Sequence, residues 1–127
     1  MIFVDTNYFL RFLLKDVEKE FRQAGELIRS GAEGKTQLFT STIVFFEIYW
    51  VLSSYYGKNK VQLLNTLEQI IGLEFIFLAE RLILQDSLKL FSASNLSLED
   101  CYNLSYAKAR KAEGFKTFDK KLAKFFP

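Results

Sequence analysis

No histidine occurs among the 127 residues, and that absence removes several reaction classes at once. Ser-His-Asp and Cys-His nucleophiles, histidine acid-base chemistry and the usual histidine-containing zinc sites all need an imidazole. Hydrolytic chemistry in this chain must therefore rest on carboxylates, lysines or a bound metal. The single cysteine, Cys101, excludes an internal disulfide, which fits a reducing cytoplasm. Without a histidine base it reads as a buried free thiol rather than a nucleophile. No apolar run approaches the roughly 18 residues a membrane span needs. The opening MIFVDTN has neither a basic leader nor a long apolar stretch, so no signal peptide or anchor is expected. Excess charge is also lacking: 17 Lys and Arg against 15 Asp and Glu leave +2, too little to mark a nucleic-acid binder.

What the chain does contain is apolar and aromatic. Half the residues are hydrophobic, and 14 Phe with six Tyr imply an ordered protein. The length fits one domain, 1–127, able to bury roughly two thirds of the surface its unfolded form exposes. Residues 2–5 read as a short strand ending in Asp5, and NYFLRFLL as a short helix. A second helix is predicted over 17–30, stopped by Ser30-Gly31, and LFTS at 38–41 as a brief strand. A helix capped by Ser41 or Thr42 then runs to Gly57, another covers about 59–70, and LEFIFL at 73–78 contains a strand. Helical spacing returns at 80–91. Ser97, three residues before Asp100, opens a helix to about Ala112, after which FKTF supplies a last strand and DKKLAKFF a short helix. Strands alternating with helices predict an α/β fold with a parallel sheet, whose ligands bind beyond the strand C-termini.

Four acids fit that mouth. Asp5 and Asp119 each end a hydrophobic strand candidate. Glu47 falls on one helical face with Ile43, Trp50 and Val51, where a carboxylate needs a cation, hydrogen bonds or a proton. Asp100 is in register with Leu104 and Ala107, although it can also cap its own helix. Glu47 can equally sit at a wet stripe edge, and Asp119 can simply cap the terminal helix. Gathered together, the four would repel one another unless a cation intervened, and hard oxygen ligands suit Mg2+ or Mn2+, one or two ions. Thr6, Asn7 and Thr117 either hold these carboxylates and nearby amides or serve as ordinary caps. Arg11, Lys116, Lys120 and Lys121 either contact backbone phosphates or remain solvated charges. Glu99 and Asp86 are alternative fourth ligands.

VDTN, the acid in TIVFFEIYWVL, the Asp of LSLED and the Asp of KTFDKKL together resemble the PIN-domain ribonuclease family, most closely the small VapC toxins of bacterial and archaeal toxin-antitoxin pairs. The resemblance runs from Ile2 to Leu122. It implies a three-layer α/β/α sandwich around a mostly parallel sheet, here of about four strands, because the chain ends at FFP with little room for the further strand of many relatives. It places the catalytic and metal-binding acids at Asp5, Glu47, Asp100 and Asp119, with Thr117 as the hydroxylated position before the last acid. It also implies a cytoplasmic, Mg2+- or Mn2+-dependent endoribonuclease, a homodimer, and inhibition by a small antitoxin protein. A DNA or mixed-substrate nuclease, and a non-catalytic RNA-binding or partner-binding module, are the competing readings. A haloacid-dehalogenase-like phosphotransferase fits poorly, since Asp5 is followed by Thr6-Asn7 and lacks a second Asp two positions on.

Overall fold

The computed structural model describes Met1–Phe126. Three parallel strands, β1 (Ile2–Phe3), β2 (Leu38–Phe39) and β3 (Ile76–Phe77), form one sheet in the order β1-β2-β3. Ile2, Leu38 and Ile76 lie in one row of the register and Phe3, Phe39 and Phe77 in the next. Alternation along a strand sends these rows to opposite faces. Leu38 and Ile76 are buried, whereas Phe3 and Phe77 remain about half exposed.

Parallel strands cannot be joined by a tight turn, so each connection is a helical crossover. Between β1 and β2 run α1 (Thr6–Leu14) and α2 (Glu18–Ala32). Between β2 and β3 run α3 (Thr42–Trp50), a π-helical turn at Val51–Tyr55, and α4 (Lys60–Ile71). Beyond β3 come α5 (Arg81–Ala93), α6 (Leu98–Ala109) and α7 (Lys120–Ala123). The class is therefore the expected one, α/β with a parallel sheet flanked by helices. By packing, the chain divides into two compact units, Met1–Ala79 with the sheet and α1 to α4, and a second unit from Glu80 onward with α5 to α7. No described helix is long and apolar enough to cross a membrane.

Local chemistry sets the helix ends. Ser41 caps α3 by accepting from Val44 N, and Asn59 opens α4 in a reciprocal capping box with Gln62. The long helix predicted to stop at Gly57 does end there, where φ reaches +62°. Its last turn is π rather than α. In the first unit, Phe45, Ile48, Leu67 and Ile76 are almost wholly buried, each worth about 1.5–3 kcal/mol against exposure. In the second, α5 and α6 pack through Leu84, Leu88, Leu98 and Leu104. Cys101 is a buried free thiol.

Two expectations fail for physical reasons. Gly31 does not stop α2, which continues to Ala32. A Cβ at position 31 would meet Leu38 Cδ1 at 2.5 Å and Phe75 Cδ2 at 3.1 Å, so glycine there lets the helix approach the sheet closely. The reversal falls instead at Gly34, with φ +76°. FKTF at 115–118 is not a strand, so the sheet has three strands among the described residues, close to the about four expected. Thr117 Oγ1 accepts from Asp119 N at 3.0 Å, and such local side-chain bonds compete with a sheet ladder.

Candidate active site

The end of β1 is held on both sides of one residue. Val4 N donates to Phe39 O at 2.8 Å, and Val4 O accepts from the buried hydroxyl of Thr40 at 2.8 Å. Asp5 follows immediately, exposed at the strand's C-terminal end, and caps α1 by accepting from Thr6 N at 2.8 Å. Thr6 itself is buried, and its Oγ1 donates to Glu47 Oε1 at 3.0 Å. The first unit thus brings Asp5, Thr6 and Glu47 together although 41 residues separate Thr6 from Glu47. Thr40 was not singled out by sequence, where the only signal is a hydroxyl at the end of LFTS. The side chain of Asn7 is exposed and makes no hydrogen bond among the described residues.

Glu47 is not on the core stripe of α3. Val44, Phe45 and Ile48 turn inward, while Ile43 and Trp50, its neighbours in helical register, are exposed and Glu47 is only partly buried. The wet edge of the stripe is what the fold uses, and it keeps this carboxylate accessible.

The second unit holds the other two acids, each at a helix start. Asp100 is partly buried in the first turn of α6, where its N–H donates to Ser97 Oγ at 3.1 Å. Asp119 caps α7, its Oδ1 accepting from Lys121 N at 2.9 Å and Leu122 N at 3.0 Å. Thr117 fixes the Asp119 amide by the bond described above. Asp86 is exposed on α5, and Glu99 is exposed beside Asp100.

Among the described residues, none of Asp5, Glu47, Asp100 and Asp119 is ion-paired with Lys or Arg, whereas Asp16, Glu18, Glu20 and Glu33 are. Each of the four retains at least one carboxylate oxygen with no protein partner there. Carboxylate oxygens of this kind suit a hard divalent cation. Among the described residues, no three or more Asp, Glu or Cys side chains are gathered into a group able to hold a metal ion.

Arg11, expected at the rim as a phosphate contact, is engaged elsewhere. Its guanidinium forks onto Asp16 at 2.9 and 3.0 Å and reaches Glu20 at 2.9 Å. Hydrogen bonding to Asp16 foremost raises its pKa further, so it stays charged. A phosphate would have to displace two carboxylates. Lys116, Lys120 and Lys121 are exposed and form no ion pair among the described residues.

A family model for the PIN domain matches residues 2–125. The chain belongs to the PIN-domain family. That match spans both packing units of this PIN domain, from β1 to the end of α7. PIN domains are typically nucleases and generally bind divalent metals such as Mg2+ or Mn2+. No curated protein and no solved structure matches the chain significantly.

Proposed function

We propose that this PIN domain is an Mg2+- or Mn2+-dependent endoribonuclease, hydrolysing RNA phosphodiester bonds, and that it acts as a VapC-like toxin. In this reading Asp5, Glu47, Asp100 and Asp119 are the catalytic acids and hold one or two ions. The observation that carries it is the coupling of the strand-end acid Asp5, through Thr6, to Glu47, two accessible carboxylates without a cation of their own. A divalent ion bound by such acids neutralises the nonbridging phosphate oxygens and makes water a better nucleophile for in-line attack. Thr6 holds Glu47 in place and Thr117 holds the Asp119 loop, so the acids need little reorganisation when substrate arrives. The exposed Lys116, Lys120 and Lys121 contact backbone phosphates. A small antitoxin protein is the partner that restrains the activity, and the working form is a homodimer in the cytoplasm.

Purified protein incubated with RNA in Mg2+ or Mn2+ yields endonucleolytic products that vanish with chelator and fall by at least ~100-fold for Asp5→Asn. Equal cleavage by a folded Asp5→Asn protein rejects the assignment. Selective turnover of DNA in the parallel assay replaces RNA as the substrate, and RNA binding without any metal-stimulated product favours a non-catalytic binding module.

A further inference from the structure

Among the 14 phenylalanines, Phe118 stands out by exposure: its relative value is 107%, and its ring touches no other ring among the described residues. Single exposed apolar residues are ordinary on protein surfaces. The setting of this one is not. Its backbone is pinned on its C-terminal side, because Asp119 N donates to Thr117 Oγ1 across it and Asp119 Oδ1 takes two amides of α7. Exposed Lys116, Lys120 and Lys121 lie within three residues of it.

From this geometry we infer that Phe118 is a stacking platform for one unpaired base of the RNA substrate, with Lys116, Lys120 and Lys121 on the flanking phosphates. A phenyl face accepts any base, and ammonium groups beside it track the backbone without reading sequence. The pinned backbone lowers the ordering cost of presenting the ring, next to Asp119. The inference rests on the endoribonuclease reading and deepens it, since it requires the bound segment to be single-stranded. Duplex RNA keeps its bases stacked inside the helix and offers no face to the ring.

The test uses RNA strands carrying 2-aminopurine at successive positions, mixed in stopped flow with the full chain in Mg2+, while the same mixtures are sampled for cleavage. Wild type and Phe118→Tyr quench the probe at one position before products appear. Phe118→Ala and Phe118→Leu lose that quench and bind about 5- to 150-fold more weakly, with unchanged melting temperatures. Retained quench and affinity in either the Ala or the Leu variant overturns the inference. So does RNA cleavage by wild type with no quenched position, which leaves the nuclease reading standing. Loss of self-association in Phe118→Ala with the quench intact assigns the ring to a protein contact and also overturns it. No binding and no cleavage of any RNA by wild type defeats both readings together.

Discussion

The hydroxyl of Thr6 donates to Glu47 Oε1 over 3.0 Å, tying the residue after the strand-end acid to the acid on α3. Thr6→Val keeps nearly the same buried volume but removes the donor. It lowers unfolding free energy by about 1–2 kcal/mol, since Glu47 is partly solvated and recovers some hydration. Thr6→Ser retains most of that stability. Urea unfolding of the three proteins measures the difference, and cleavage falls for the valine protein as Glu47 loses its fixed position. Equal stability of Val and Thr proteins would show that the bond contributes nothing net.

Asp119 has a capping role that must be separated from a catalytic one. Asparagine is as good an N-cap as aspartate, so Asp119→Asn leaves thermal stability within a few tenths of a kcal/mol, roughly. It nevertheless abolishes cleavage, because the amide is a poor ligand for a hard cation. Asp119→Ala loses the two amide bonds as well and costs about 0.5–2 kcal/mol. Wild-type cleavage by the Asn protein would leave Asp119 a cap only.

The two glycines of α2 behave oppositely. Gly31→Ala drives a methyl into Leu38 and Phe75 and destabilises by about 1–3 kcal/mol. Gly25→Ala meets nothing within 4 Å and stabilises by about 0.5–1 kcal/mol through helix propensity. Paired denaturation curves check both signs.

Burial first, then its 2.7 Å hydrogen bond to the carboxylate of Glu80, pushes the phenol of Tyr102 well above its ordinary pKa. The neutral form is favoured in the folded state. Its contribution is therefore complete below the unfolded value of about 10 and is lost as pH rises through the folded one. The stability gap between wild type and Tyr102→Phe stays constant from neutral pH to about 9 and narrows above about 10. A gap that widens with alkali would contradict the sign.

Patterns within a few residues were enough to order the strands and helices, because periodicity and caps act locally. Ser41 and Ser97 cap the helices that the sequence assigns to them, and Asp5 falls just past the end of β1, where it caps α1. The same local reading misplaced Gly31, whose neighbours Leu38 and Phe75 lie beyond any helical window. It left Glu47 between a buried stripe and that stripe's wet edge, since periodicity shows that residues share a face but not which side the protein covers, and the fold takes the wet edge. FKTF has strand composition, yet a strand exists only with a partner, and none of the three described strands pairs with it. Sequence by itself thus determined the order of elements from β1 to α6, the α/β class and the absence of imidazole chemistry. Tertiary structure decided which face of each element meets water, how Thr6 and Thr40 hold the mouth of β1, and that Arg11 answers to Asp16 and Glu20, because those outcomes depend on contacts between residues far apart in the chain.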